Sequence, residues 1–241
     1  MRCLCCSIFT VALFVFPFKI TKGQSSITAD EPSFLSAKLY FQNEIKENAD
    51  LFTGKEYYKY ESGIKGFPFF MTELMQNADI FYEGTLYKNV PLLYDIVRQV
   101  IVIKQYQQET RIQLLGEKIK YFILGGHRFE TTPPAEGEGD NISKGLYDAA
   151  FTGKASVLIK RVKYVKKGLH AEDPYSFSEE DELYVKKGKS VYNVSNKKAV
   201  MQAFDDKKDL VKTFVRKNNL KFKKNIEKDL IMTAAYYSTL N

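Results

Sequence analysis

The side chains able to do covalent or metal chemistry are few and far apart in this chain of 241 residues. All three cysteines, Cys3, Cys5 and Cys6, stand at the N-terminal end. The body of the chain therefore has no thiol nucleophile, no cysteine-based zinc site and no disulfide framework. The two histidines, His127 and His170, are too far apart in sequence to make a metal-ligand pattern. His127 follows Gly125-Gly126 at an expected strand start. Catalysis there would need an orienting carboxylate and a nucleophile, and no motif nominates either. The residue reads as a turn histidine with a hydrogen-bonded ring, and His170 as a solvated residue of a charged loop.

The carboxylates and glycines are equally unspecific. The run Glu179-Glu180-Asp181-Glu182 lacks the alternating oxygen ligands and turn glycine of a calcium loop, and reads as a solvated loop leading into a strand. Glu61 and Asp95 could serve a glycosidase only at a separation that a sequence does not give, and they are assigned no role. There is no G-x-x-x-x-G-K-[ST] and no G-x-G-x-x-G between a strand and a helix, and Gly137-Glu138-Gly139 lies among acids that repel phosphate. No catalytic, cofactor-binding or metal-ligating residue is assigned, and no cofactor is expected.

Two surface features remain. Phe67-Pro68-Phe69-Phe70 could stack on a sugar or a partner, but such a piece more often plugs the end of a sheet core. The C-terminal tail is basic: from Lys197 onward 11 Lys/Arg face 5 Asp/Glu, while residues 24–196 carry a net charge of −2. Lys208, Lys212 and Arg216, with Lys221, Lys223 and Lys224 beyond them, could meet nucleic acid or an anionic membrane. Asp205 and Asp209 are interleaved at helical spacing and can pair with Lys208 and Lys212, so a docked helix with a solvated charged face accounts for the same pattern.

The elements that must carry these residues are mostly strands. Tyr57, Tyr58 and Tyr60 form a strand-prone patch. Ile80 to Tyr87 reads as a hairpin about Glu83-Gly84. Leu92 to Ile96 follows as a strand, then Gln99 to Lys104, whose Val100-Ile101-Val102-Ile103 suits a strand buried on both faces. Thr110 to Leu115 alternates. Lys118 to Leu124 places Ile119, Tyr121 and Ile123 on one face, and Gly125-Gly126 turns into an extended His127 to Thr131. Past the loop at Pro133-Pro134, strands are expected over Gly145 to Phe151 and over Ala155 to Val165. His170 to Ser178 is expected as a polar loop, and a last hairpin surrounds Lys187-Gly188-Lys189. Short turns without crossover helices imply an antiparallel meander.

The period then changes. Ser195 is the expected cap of a helix bearing Val200, Met201 and Phe204. Asp205-Asp206 caps a second, striped by Leu210, Val211, Phe214 and Val215, which Asn218-Asn219 ends. A third helix runs from about Ile226 to Tyr237, with Leu230, Ile231, Ala234 and Tyr237 on one face. The fold class is therefore α+β: an antiparallel β body over 51–194 after a leader segment over 24–50, then a helical C-terminal region over 195–241.

Residues 1–23 read as a secretory signal peptide: Arg2, an apolar run from Cys3 to Phe18, then Gly23-Gln24-Ser25-Ser26. The run is shorter than a spanning helix and contains Pro17, so a retained anchor or a buried helix is the lesser reading. Cleavage near Gly23 or Gln24 removes Arg2, Lys19 and Lys22 and lowers the net charge from +7 to +4. The cysteines precede the apolar core, so no lipid anchor is expected. Asn141 and Asn193 begin Asn-x-Ser sequons, which mark surface positions in a eukaryotic secretory path only.

Several stretches together resemble an uncharacterised family of secreted or envelope proteins of the Bacteroidota. They are Leu51-Phe52-Thr53-Gly54-Lys55-Glu56-Tyr57, the segment from Tyr82 through Gly84, Pro91 and Asp95, and Gly126-His127-Arg128-Phe129. Phe214 to Phe222 and Ala235-Tyr236-Tyr237 belong to the same pattern. The resemblance implies export to the periplasm or beyond and a strand-then-helix order. It supplies no active site. The functional expectation is a secreted or envelope protein acting as a non-enzymatic binding or structural module. An envelope component or carbohydrate is the expected kind of partner, a membrane surface is within reach of the basic tail, and nucleic acid is not expected. The alternative is a hydrolase with an unrecognised carboxylate site.

Overall fold

The computed structural model describes residues 50–105, 108–132, 142–168 and 174–241, all within the compact unit Ile45–Asn241. Among the described residues thirteen strands precede three helices. They are β1 (Lys55–Glu56), β2 (Gln76–Tyr82), β3 (Thr85–Asp95), β4 (Val100–Lys104), β5 (Arg111–Gln113), β6 (Ile119–Leu124), β7 (His127–Thr132), β8 (Gly145–Phe151), β9 (Ser156–Lys160), β10 (Lys163–Lys166), β11 (Ser176–Glu179), β12 (Glu182–Lys187) and β13 (Ser190–Asn193). The helices are α1 (Lys197–Ala203), α2 (Lys208–Lys217) and α3 (Ile226–Thr239). Eleven strands form one sheet in the order β1-β5-β4-β3-β2-β6-β7-β8-β9-β12-β13, and β10 pairs with β11 in a separate ribbon. Every strand pairing is antiparallel, so the architecture is the expected α+β.

The hairpin turns are local in origin. Glu83 (φ 47°) and Gly84 (φ 82°) join β2 to β3, and Gly125 (φ 58°) and Gly126 (φ 83°) join β6 to β7. Two left-handed central residues match the twist of the flanking strands.

The sheet encloses its first core by curling. Ile80, Tyr82, Leu92, Tyr94, Ile101, Phe122 and Phe129 are all buried in one cluster, and no helix among the described residues covers it. Tyr94 on β3 lies three strand positions from Phe129 on β7, about 14 Å in a flat sheet, yet their ring centroids are 5.1 Å apart. Phe122 and Phe129 stack at 4.6 Å. Each such buried ring contributes up to about 3 kcal/mol of transfer free energy. The other face of β3 and β4 is covered as well, by Tyr57 and Phe69 against Leu93 and Val102. That is the double burial the β-branched run of β4 implies.

The second core is a helical layer on the other end of the sheet. Val157 and Ile159 of β9 and Leu183 and Val185 of β12 pack with Val200, Phe204, Val211, Val215, Leu230 and Ala234 of the helical region. β8 belongs to both cores: Leu146 enters the first, Ala150 and Phe151 the second, with a bulge between Ala149 and Phe151.

Several local expectations change. Tyr57, Tyr58 and Tyr60 lie outside any strand, because β1 ends at Glu56 and the chain turns to bring Tyr57 and Tyr60 onto Asp95. In β6 the buried residues are Ile119, Phe122 and Leu124, not Ile119, Tyr121 and Ile123. A bulge opposite Tyr82 inserts Lys120 and flips the face of everything after it. Ala155 to Val165 is not continuous: β9 ends at Lys160, and Arg161 turns the chain into the separate ribbon. Ser176–Glu179 is a strand rather than loop, while the expectation for His170 lies outside the described residues. The cap of α1 is Asn196, whose side chain accepts from the Ala199 amide at 3.0 Å, not Ser195. Asp205-Asp206 opens a 3-10 turn rather than capping α2.

Candidate functional site

A cluster of charges sits at the seam between the two cores. Arg161 and Asp148 are 6% and 1% exposed. Arg161 Nε donates to Asp148 Oδ2 at 3.0 Å, Nη1 to Asp181 Oδ2 at 2.7 Å, and Nη1 and Nη2 to Glu227 at 2.8 and 3.0 Å. Asp148 comes from β8, Asp181 from the turn before β12 and Glu227 from the first turn of α3. Burial opposes the guanidinium charge, but the bonds to Glu227, Asp181 and Asp148 outweigh it and hold Arg161 above its ordinary value. His127 Nδ1 lies 2.8 Å from Asp148 Oδ2, and its ring packs edge-on against Phe70 at 5.1 Å.

This arrangement supplies His127 with the orienting carboxylate that no motif announces. Asp148 Oδ2 also accepts from both Nε and Nη2 of Arg161, so its charge is already compensated. Asp148 fixes the ring, as expected of a hydrogen-bonded turn histidine. Glu227 is bidentate with Arg161, Asp181 also accepts from the Val162 amide at 3.2 Å, and no hydroxyl is bonded to the His127 ring among the described residues. The acidic run is thus not merely solvated: Asp181 is a structural partner of Arg161.

Asp95, wholly buried, is also saturated. It accepts from Tyr57 Oη at 2.9 Å, Tyr60 Oη at 3.0 Å and the amides of Val97 and Arg98 at 2.9 Å. Burial, then the Asp95 charge, pushes both tyrosines well above the ordinary phenol value. The Arg98 guanidinium lies 3.9 Å from the Tyr60 centroid. Glu61 is exposed and takes no part. Phe69 and Phe70 are 7% and 6% exposed, so this segment plugs the cores.

The helical region carries an open concavity. A groove of about 410 Å³ is lined by Lys197, Lys208, Lys212, Arg216 and Lys221, with Met201, Val215 and Leu220 as its apolar part. Lys208 pairs with Asp205 at 2.8 Å, which raises the lysine's pKa. Lys197, Lys212, Arg216 and Lys221 form no ion pair with a described residue. The expected partner of Lys212, Asp209, does not pair with it. Instead the Asp209 carbonyl accepts from the Thr213 hydroxyl.

The groove wall is set by the end of α2. Asn219 (φ 53°) follows the helix in the left-handed conformation, Leu220 N donates to Val215 O at 3.0 Å and Asn219 N to Arg216 O at 3.1 Å. This is the Schellman pattern, with Leu220 and Val215 as its apolar contact. Asp229 Oδ2 then accepts from the amides of Lys221 and Phe222 at 3.0 and 2.8 Å, which holds Phe222 at φ 54° and fixes Lys221 on the rim. Lys223 and Lys224 are exposed outside the groove.

Among the described residues no group of three or more His, Cys, Asp or Glu could hold a metal ion, and no helix is long and apolar enough to cross a membrane. Comparison with family models, with curated proteins and with solved structures finds no match to this chain.

Proposed function

We propose that this protein is exported and acts by binding rather than by catalysis, with the basic groove of α1 and α2 as its contact surface for an anionic membrane in the envelope. The observation that carries this reading is that four of the five cations on the groove have no carboxylate partner among the described residues, whereas the buried carboxylates Asp95 and Asp148 are engaged by donors. The N-terminal run behind Arg2 and the resemblance to secreted Bacteroidota proteins support export. Export sets the groove apart from cytosolic nucleic acid.

The test has two arms. N-terminal sequencing of the exported chain is expected to begin near Gln24. A full-length chain recovered only from the cytosol would contradict export. The purified protein is expected to sediment with anionic vesicles at low salt and to be released at high salt, since an anionic surface contributes about 1 kcal/mol per nearby cation and is screened.

One observation favours the hydrolase reading: the His127 ring is held by a buried carboxylate. Hydrolysis of a glycoside or ester that disappears in His127→Ala while folding is retained would replace the binding reading.

A further inference from the structure

We propose that the groove is a specific site for a ligand bearing two closely spaced phosphates, with its adjoining apolar or sugar portion lying on the half-buried Met201. This rests on the reading that the basic face is the working surface, and narrows it from a diffuse charge to a built pocket.

Several of the cations stand where the helices themselves gain little from them. Lys197 and Lys198 occupy the first turn of α1, which holds no acid, and so oppose the positive end of its dipole. Lys208, Lys212 and Arg216 follow at four-residue spacing on α2, so each adjacent pair repels along the helix. Only Arg216, in the last turn, is favoured by the dipole. Lys221 is brought to the same groove by a turn that spends a buried-side carboxylate, Asp229, on two consecutive amides and holds an aromatic residue at positive φ. Such backbone persists only where the surroundings over-determine it, and here it fixes one more cation at the rim. The five cations line one groove of about 410 Å³, and charges closer than the Debye length of about 10 Å at 0.1 M salt are only partly screened from one another.

The chemistry of the occupant follows. Four cations without a partner among the described residues exceed what one carboxylate neutralises and suit a multiply charged oxyanion. Arg216 offers a planar fork for phosphate oxygens, and the lysines add point charges around it. The accessible part of Met201 on the groove favours a phosphate attached to an organic group over a free ion. A phosphorylated lipid headgroup and a soluble diphosphate ester share this chemistry.

The probes are inorganic pyrophosphate, measured by titration calorimetry, and vesicles containing a lipid with a diphosphate headgroup. Lys212→Ala/Arg216→Ala is compared with Lys223→Ala/Lys224→Ala, which removes the same charge outside the groove. All four side chains are exposed, and equal melting temperatures confirm that both variants fold. The expected result is stoichiometric pyrophosphate binding that weakens about 25-fold or more in the groove variant, about fivefold per cation, and stays nearly unchanged in the control. Displacement of the protein from vesicles by pyrophosphate identifies the lipid headgroup as the source. Pyrophosphate binding without vesicle binding identifies a soluble ester. If vesicles bind but pyrophosphate does not, and both variants lose vesicle binding equally, the pocket is overturned while the surface reading stands. If neither probe binds, both fall.

Discussion

Arg161 is the residue on which the most separate parts of the chain converge. It reaches β8 through Asp148, the turn before β12 through Asp181 and α3 through Glu227, and its carbonyl accepts from Gln99 Nε2 at 2.9 Å. Removing one partner of a buried ion pair leaves the other charge uncompensated. Arg161→Ala is therefore expected to destabilise the protein by about 3–5 kcal/mol, read as a lower urea midpoint. Arg161→Lys keeps the charge but cannot make the fork to Glu227, and is expected to fall between that variant and the wild type.

A second residue-level prediction concerns pH. Burial tends to raise Asp206, but the hydrogen bonds from Lys187 and Tyr237 outweigh it and hold its pKa below the ordinary carboxylate value. The Asp206 bond, then burial, raises Tyr237 to about 12. For a carboxylate with a depressed folded pKa, the stabilisation is complete above the unfolded value, about 3.9, and is lost as pH falls through the folded one. Asp206 is half-exposed, so solvent screening keeps the effect near the surface-pair range of about 0–1 kcal/mol. Asp206→Asn is expected to lower the melting temperature slightly at pH 7. As pH falls through the depressed folded pKa the gap to wild type should close, and a gap that stays unchanged down to the acid limit of folding would contradict the linkage.

At the scale of elements, the helix stripe read from periodicity is only half correct. Val211 and Val215 are buried at 0% and 3% exposure, Leu210 is 49% exposed, and Phe214 is half-buried against Tyr236 with ring centroids 4.1 Å apart. α2 presents Val211 and Val215 to the sheet-side core and Phe214 to α3, which leaves Leu210 in solvent. Leu230→Ala, which empties a fully buried position on α3, is expected to cost about 2–5 kcal/mol. Phe214→Ala should cost less than the about 3–5 kcal/mol of a buried phenylalanine, since part of its ring is already in water. Leu210→Ala should stay within about 0.5 kcal/mol. Chemical denaturation of the three variants checks the order, and a Leu210 effect as large as that of Leu230 would refute this packing.

For the molecule as a whole, the two cores share β8, and the Arg161 cluster joins them across the seam. The unit 45–241 is therefore expected to unfold in one transition, with circular dichroism and tyrosine fluorescence giving coincident curves. Two separated transitions would show that the helical layer detaches on its own. In Arg161→Ala the curves are expected to diverge, because the variant removes the polar link while leaving each apolar core intact.

Much of this fold was legible in local signals. The turns at Glu83-Gly84 and Gly125-Gly126, the β-branched run of β4, the change from strand to helix period after Asn193 and the absence of cysteine beyond Cys6 all depend on residues close in sequence. So did the basic character of the tail, which is a matter of composition. The rest depended on pairings between distant residues. A single bulge against Tyr82 reversed the buried face of β6, since one inserted residue moves every later side chain to the opposite side of a pleated strand. The partners of Arg161 lie at positions 148, 181 and 227, and nothing in the sequence around any of them signals the others. The sequence alone determined that the tail would be cationic and amphipathic. Only the tertiary structure decided that Lys197, Lys212, Arg216 and Lys221 share one groove, because that depends on the crossing of two helices and a left-handed turn after the second, and those are set by packing against β9, β12 and the third helix.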